Sequence, residues 1–476
     1  MSINTSPLHP VQQLEIDADL IQRRSQSGPR YTSYPTADRF TEQFSCRDYL
    51  HAVNHLHARG TRQPLSLYVH IPFCDTVCYY CGCNKIVTKN RDKATTYLGY
   101  LKRELAMQGK LFAGSNQVEQ LHFGGGTPTY LSDEQMSDLM QYLRRWFSFA
   151  DDAKGEYSIE VDPRSVTIER IHTLRAQGFN RISLGVQDFD EQVQRAVNRI
   201  QPEQITLDTI HAARAAGFRS VSIDLIYGLP KQTLASIAET IAKVIAANPD
   251  RIAVYHYAHL PHLFKPQRRI AEADLPSSDT KLDMLAFCIR QLNTAGYVYI
   301  GMDHFAKPDD ELAVAQRQGL LHRNFQGYST HAESEMIACG VSAISSVGMC
   351  YSQNAKTLED YYDRLDQGEL PIVRGYQLTM DDVLRRFIIQ RLMCNFELSI
   401  RSLEQAYPIK FDTYFELELE QLGELQKMGL LTIDSEWIEV TLKGRLLIRN
   451  ICMVFDRHLQ QARSLYSEPL RYSRTV

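Results

Sequence analysis

Between about residues 60 and 300 the chain repeats one pattern: a short run rich in β-branched and aromatic residues, a polar loop, then apolar positions recurring every three or four residues. The runs are Leu65 to Ile71, Gln120 to Phe123, Tyr157 to Val161, Arg181 to Val186, Val221 to Ile226 and Ile252 to Tyr257. After the fifth run the spacing predicts a helix with Leu234, Ile237, Ile241 and Ile245 on one face. Three helix ends read alike: Ala176-Gln-Gly178-Phe179, Ala215-Ala-Gly217-Phe218 and Thr294-Ala-Gly296-Tyr297. In each, a left-handed glycine would end the helix and the aromatic residue would open a strand. Iterated βα units predict a parallel sheet with both faces covered, closed into a barrel or doubly wound; in both, ligands gather at the carboxyl ends of the strands.

The pattern fails at both ends of the chain. Residues 1–60 carry Arg23, Arg24 and Arg30 beside Tyr31 and Tyr34, around Gly28-Pro29 and Pro35, and are expected to form a basic, aromatic arm. Beyond about residue 375 helices are expected at Asp381 to Met393 and Phe411 to Met428. The alternation of Leu431 to Val440 around Asp434-Ser435 predicts a hairpin. A helical domain with a small wing fits, but no basic recognition helix accompanies it, so nucleic-acid binding is not expected.

Composition narrows the reading. The 476 residues, 44% of them apolar, can bury a large core spread over more than one domain. With 52 basic and 56 acidic residues the net charge is only −4, so a general affinity for nucleic acid or anionic membrane is excluded and any anionic ligand needs a local basic cluster. Polar and acidic residues interrupt Met1 to Ile21, and no stretch stays apolar long enough to span a bilayer. A cytoplasmic location with no membrane partner is expected.

Four of the ten cysteines fall in one loop after the first run, as Cys74-x-x-x-Cys78-x-x-Cys81-x-Cys83. The other six (Cys46, Cys288, Cys339, Cys350, Cys394, Cys452) are scattered, several in apolar runs, and are expected to be small buried hydrophobes. Structural zinc usually takes two separated cysteine pairs, so that two loops close a tetrahedron. Three or four thiolates on one short loop suit an iron–sulfur cluster better, because its irons are spread over a cube and three ligands leave one iron open. Structural zinc, or a cluster used only for electron transfer, stays open on spacing alone.

The loop carries the CxxxCxxC signature of radical S-adenosylmethionine enzymes. Its wider context, Tyr68-Val-His70-Ile-Pro72-Phe-Cys74 through Cys81-Gly-Cys83-Asn-Lys85, resembles the oxygen-independent coproporphyrinogen III oxidase family. The likeness runs through most of the chain: Gly28-Pro-Arg30-Tyr31-Thr-Ser-Tyr34-Pro35, Gly124-Gly-Gly-Thr127-Pro128, Glu160-Val-Asp-Pro-Arg164, Gly185-Val-Gln187-Asp-Phe189, Asp224-Leu-Ile-Tyr-Gly-Leu-Pro230, Tyr257-Ala-His-Leu-Pro261, Gly301-Met-Asp-His-Phe305 and Lys443-Gly-Arg to Cys452. The resemblance implies an incomplete parallel (β/α)6 barrel over residues 61–305, an arm at 1–60, a barrel-completing segment at 306–374 and a mostly helical C-terminal domain with a small wing at 375–476.

It also implies a [4Fe-4S] cluster on Cys74, Cys78 and Cys81, with Cys83 spare though close enough to stand in, and two S-adenosylmethionine sites. Tyr68, Gly125, Glu160 and Ile344 would touch the cluster-bound cofactor; Tyr80, Gly126, Thr127, Gln187, Arg199, Asp224 and Ala258 would touch the second. From the residues themselves, side-chain-free backbone at Gly124–Thr127 lets amides approach a carboxylate or amino group closely. Glu160, in the apolar context Ile159-Glu-Val161, is expected to be a buried charge in need of a partner. A substrate with four propionates needs local cations, for which Arg30, Arg23 and Arg24 are the candidates.

The activity implied is oxidative decarboxylation of two propionates of coproporphyrinogen III to vinyl groups, giving protoporphyrinogen IX. A flavodoxin or ferredoxin donor, a monomeric state and loss of activity in air follow from the same resemblance. The sequence departs from the pattern at Tyr80, His256 and Thr330-His331, and the two histidines would add ionisable groups near the cofactor and substrate regions. The rival is a haem chaperone of the same superfamily, which lacks both Cys83 and the Arg30-Tyr-Thr-Ser-Tyr34-Pro35 arm.

Overall fold

In the computed structural model, residues 14–58, 60, 63–113, 117–465 and 472 are described. Part of the polar and acidic opening stretch, Met1 to Ile21, lies outside them. Each apolar run becomes a strand: β1 (Leu65–Ile71), β2 (Val118–Gly125), β3 (Glu156–Val161), β4 (Arg181–Gln187), β5 (Ser220–Tyr227) and β6 (Arg251–His256). These pair in parallel, in chain order. Gly178, Gly217 and Gly296 end their helices with φ of +111°, +84° and +90°, which a side chain would disfavour.

Beyond β6 the sheet continues through β7 (Val298–Gly301) and β8 (His304–Ala306), both antiparallel additions. On the other edge β9 (Glu335–Cys339) pairs in parallel with β1, followed by the antiparallel meander β10 (Ile344–Val347), β11 (Cys350–Asn354) and β12 (Ile372–Gln377). The twelve strands run β12-β11-β10-β9-β1-β2-β3-β4-β5-β6-β8-β7, an incomplete barrel with two open edges. A hairpin, His322–Asn324 with Gly327–Ser329, joins the amino end of the barrel, where Ser329 accepts a hydrogen bond from the Gln120 amide of β2 at 3.1 Å.

Along β3, β4 and β5 fully buried residues alternate with partly exposed ones. The buried set faces the helices. The other set, Ser158, Glu160, Ser183, Gly185, Gln187, Ser222 and Asp224, faces a polar lumen. This corrects the reading of Glu160: it is not walled in by its apolar neighbours, because Ile159 and Val161 point the other way and its own side chain remains 44% exposed.

The helix Leu234–Ala247 buries Ile237, Thr240, Ile241 and Val244. Leu234, in its first turn, is exposed and Ile245 is only half-buried, so the buried face is narrower than the sequence spacing suggests. In the C-terminal region Met380–Asn395 forms one helix, but the expected helix from Phe411 to Met428 breaks into Phe411–Tyr414 and Glu416–Lys427. Phe415 leaves helical geometry there so that its ring, fully buried, can pack on Phe455 and lie under the Arg385 guanidinium. The expected hairpin forms at Leu431–Ile433 and Trp437–Val440, and Glu397–Ser399 adds a third strand to the wing. Five of the six scattered cysteines are buried; Cys46, at a helix start, is half-buried. No helix among the described residues is long and apolar enough to cross a membrane.

Candidate active site

β1 ends at Ile71, just before Pro72, and the thiol loop leaves its carboxyl end. Phe73–Cys74 pairs with Ile86–Val87, which closes the loop at its base. Around the rim Asn198 donates to the Val77 carbonyl at 2.7 Å, and Tyr79 donates its amide to Val197 at 2.9 Å. Gln267, fully buried, donates to the carbonyls of both Tyr80 and Ala258, at 2.9 and 3.2 Å, and so ties the loop to the segment after β6.

Two guanidinium groups lie over Cys78: Arg199 Nη1 at 3.6 Å from Sγ and Arg164 Nη2 at 3.8 Å. Both also pair with Asp162, at 3.0 and 2.7 Å. Thr127 donates its hydroxyl to Cys74 Sγ at 3.5 Å. The Cys83 thiol hydrogen-bonds Cys81, which lowers the Cys81 thiol, helped by Lys85, while the same hydrogen bond and burial raise that of Cys83. Cationic and hydroxyl donors around sulfur are what anionic thiolates require. Among the described residues no three His, Cys, Asp or Glu side chains converge as a single metal ion demands, and a cube of iron and sulfur needs no such convergence. Three thiols on one loop, with guanidinium and hydroxyl donors at their sulfurs, fit a cluster.

Gly124 and Gly125 end β2 and Gly126 follows it, directly beside this loop. A Cβ at Gly126 would meet the Pro72 carbonyl at 2.7 Å, one at Gly125 the His70 ring at 2.7 Å, and one at Gly124 the Glu160 carboxylate at 2.8 Å. The glycines are thus dictated by packing of β2 against β1 and the lumen. Their amides are already engaged: Gly126 donates to Ile71 at 2.8 Å, Thr127 to Phe73 at 2.9 Å, and Gly125 to Glu160. The Gly125 amide thus approaches a carboxylate closely, as expected, but the carboxylate is the chain's own Glu160.

Inside the lumen, Tyr68 stacks on His122 with centroids 5.8 Å apart, and its hydroxyl lies 3.0 Å from His70 Nδ1. His122 bridges Ser158, at 2.5 Å, and Glu160, at 3.0 Å. Burial pushes the Glu160 carboxyl up, but His122 and the Gly125 amide outweigh it and hold it below its ordinary range. Asp224, bonded by the Ser183 hydroxyl at 3.1 Å, goes the other way: burial, then the Glu160 charge, raises it to about 7. Two carboxyls in one lumen thus titrate apart. Gln187 sits on a bulge of β4 with φ +71°, and Arg199 holds that bulge by donating to the Gly185 carbonyl. Ile344 opens β10, on the β9 side, in an apolar cluster with Phe40, Tyr351 and Leu378.

The three thiols of the loop, Tyr68, Tyr80, the glycines, Thr127, Glu160, Gln187, Arg199, Asp224 and Ala258 are brought to one end of the barrel. Arg23 and Arg24 are not: Arg23 is exposed and paired with Asp19, and Arg24 contacts Met428 Sδ at 3.0 Å in the C-terminal region. Arg30 pairs with the buried Asp303 on the β6 side. The rest of its segment is anchored rather than free, with Tyr31 donating to Asp456 at 3.0 Å and Arg449 donating to the Pro29 carbonyl at 2.9 Å. His256 lies at this end, against Tyr227, with centroids 5.2 Å apart. His331 does not: it lies at the opposite, amino end of the strands, between Glu119 and Glu156, which corrects its expected placement. Sequence reasoning missed His122, Asp162, Arg164, Gln267 and Asp303. Their signal, a polar residue inside an otherwise apolar strand or loop motif, was visible only for His122.

Residues 68–244 match the model of the radical SAM superfamily, and 378–447 match that of the HemN C-terminal domain. The chain is 53% identical to the oxygen-independent coproporphyrinogen III oxidase of Escherichia coli (strain K12) over 451 residues, covering 95% of this chain and 97% of that one. It is 52% identical to the enzyme of the same name from Pseudomonas aeruginosa, over 93% of this chain and 96% of the other. A solved structure described as coproporphyrinogen III oxidase (HemN) from Escherichia coli, a radical SAM enzyme, superposes with a TM-score of 0.89 at 52% identity, covering 94% of this chain and 100% of that one.

Proposed function

The chain belongs to the oxygen-independent coproporphyrinogen III oxidase family of radical S-adenosylmethionine enzymes, and from that membership we propose that it converts coproporphyrinogen III to protoporphyrinogen IX. When bound, the cluster and S-adenosylmethionine would supply a 5′-deoxyadenosyl radical for hydrogen abstraction from the β-carbon of a propionate, whose conversion to a vinyl group releases carbon dioxide and passes one electron to an external one-electron acceptor. The observation that carries the proposal is the loop of Cys74, Cys78 and Cys81 at the carboxyl end of β1, lined by guanidinium and hydroxyl donors and open to a polar lumen.

The chain's own part is binding, orientation and exclusion of water. Cys74, Cys78 and Cys81 would hold the cluster, leaving Cys83 as a hydrogen-bonding neighbour. Glu160, ionised and oriented by His122, would accept hydrogen bonds from the nearer S-adenosylmethionine, with Tyr68, Gly125 and Ile344 around it. Asp224, Gln187, Arg199, Tyr80, Gly126, Thr127 and Ala258 would contact the second. Arg199 spans both tasks, because one guanidinium reaches Cys78, Asp162 and the Gly185 carbonyl. Arg30, already paired with Asp303, is the arm residue that would face a substrate carboxylate. A small flavodoxin or ferredoxin is the class of donor that would supply the reducing electron.

The test is an anaerobic incubation of reconstituted, reduced protein with S-adenosylmethionine and coproporphyrinogen III, following 5′-deoxyadenosine and vinyl products together. Both should appear, and both should vanish in Cys78→Ala along with most of the bound iron. Deoxyadenosine without vinyl product would replace the substrate assignment with that of a paralogue or haem chaperone.

A further inference from the structure

Most buried guanidinium groups of this protein are held by their own anions or carbonyls. Arg385, for example, is bonded to Asp381, Glu418 and the Phe455 carbonyl. Arg323, on the hairpin whose Tyr328 packs against His304 of β8, is different. It is 3% exposed, yet its Nε and Nη1 have no partner among the described residues. Its guanidinium lies 4.8 Å over the Tyr328 ring, which fixes its plane. Beside it, the Nδ1 of His304 is also buried and unpartnered, with the imidazole edge-on to Tyr328 and Tyr255 at 5.2 and 5.8 Å.

The local charge balance is uneven in the same direction. Arg30, Arg323 and Arg449 all act on one carboxylate, that of Asp303, which is already paired with Arg30. Arg449 is engaged with the Gly28 and Pro29 carbonyls. His304 adds no charge: burial, then Arg323, pushes its imidazole down to about 3, so it is neutral and can act as a hydrogen-bond partner. Leaving planar donors buried and unpaired beside excess positive charge is costly unless an anion completes them. Tyr255, near the carboxyl end of β6, lies within electrostatic reach of Asp224 of the lumen as well as of Asp303, Arg30 and Arg323.

We infer that Arg323, with Arg30 and His304, receives one carboxylate of the substrate and so determines which propionates are presented for reaction. This rests on the function proposed above. The cluster flanks β6 and β8, whereas the thiol loop leaves β1, with four strands between β1 and β6 in the ladder. A carboxylate gripped beside β6 is therefore one that is kept, and it turns a different propionate toward the thiol loop.

The test uses reconstituted holoenzyme under anaerobic conditions, as wild type, Arg323→Gln, Arg323→Lys and, as a surface control, Arg145→Gln. Coproporphyrin III, the oxidised and unreactive analogue of the substrate, is titrated by fluorescence, and KM, kcat and the ratio of the two possible monovinyl products are measured with coproporphyrinogen III. Loss of a charge-assisted pair should weaken coproporphyrin III binding and raise KM by about 10- to 100-fold in Arg323→Gln. The ratio of monovinyl isomers should move toward equality, which a merely structural role would not cause. Arg323→Lys should recover part of the binding, because it restores the charge without the planar fork. Binding within twofold of wild type in Arg323→Gln overturns the inference. Should that variant fail to fold, unchanged binding and isomer ratio in Arg323→Lys overturn it instead. A wild-type protein that makes no vinyl product would sink the parent function, an outcome distinct from any difference among the variants.

Discussion

The two ends of the barrel bury similar charges for different purposes. At the amino end, Arg251 pairs with Asp310 at 2.8 Å and reaches Glu311 at 3.5 Å, Arg181 pairs with Glu311 and lies 3.9 Å from Glu156, and His331 sits 3.6 Å from Glu156 and 3.5 Å from Glu119. Thr330 adds a hydrogen bond to Glu156 at 2.9 Å. Opposite charges alternate, and the Glu156 carboxyl is held far below its ordinary range despite its burial. At the carboxyl end, Glu160 and Asp224 share a lumen, two guanidiniums crowd one thiol, and Asp224 is pushed to about 7. A closed ion network holds structure, whereas unbalanced groups are poised for a ligand that restores the balance.

Substitutions in matched pairs can break this contrast. The largest effect on folding is expected at the amino end: Glu156→Ala leaves Arg181 with Glu311 alone and His331 with Glu119 alone, and should cost about 3 kcal/mol, read by denaturant unfolding. Its kcat/KM per folded molecule should stay within a few-fold of wild type; a selective loss of activity would erase the division of labour. Glu160→Gln is the mirror image. It should lower kcat/KM roughly 100-fold, about 2–3 kcal/mol in the barrier, while unfolding free energy shifts by less than about 1 kcal/mol because the side chain faces an open lumen. A large destabilisation without loss of activity would reverse the assignment.

Asp224→Asn sharpens the comparison through pH. The folded state keeps a proton on Asp224 up to about 7, whereas the unfolded chain releases it near 3.8, so the wild type loses stability as pH rises through that window. The variant should melt higher than wild type at pH 8 and equally at pH 4, while losing S-adenosylmethionine cleavage. Equal melting curves at both pH values would remove the case for a strained carboxyl. The smallest effect is expected at His331. Burial pushes its imidazole down, but Glu156 and then Glu119 hold it above its ordinary 6.5, so its contribution is complete below pH 6.5 and fades as pH rises through the folded value. In His331→Gln that decline in stability above pH 6.5 should vanish, with activity unchanged.

Much of the site was legible because its chemistry is local in the chain. The spacing Cys74, Cys78, Cys81 and the position of each motif after an apolar run were enough to place them at the carboxyl ends of parallel strands. Errors arose where a residue's role depends on a neighbour distant in sequence. Glu160 was read from its flanking residues as buried, although alternation turns it to the lumen. The glycines were read as offering amides, although β1 and Glu160 take them. The break at Phe415 follows from a ring that packs on Phe455, which no window of sequence around it contains.

The sequence by itself determined the order of βα units, the thiol loop and the family to which the chain belongs, since each is written in residues close together or in matching order. Only the tertiary structure decided which charges pair. It took Arg23 and Arg24 away from the lumen, joined Arg30 to Asp303 across more than half the chain, and sent His331 to the amino end. The physical reason is that periodicity and backbone geometry are short-range properties, while the partner of a charge is set by strands and loops that meet only after folding.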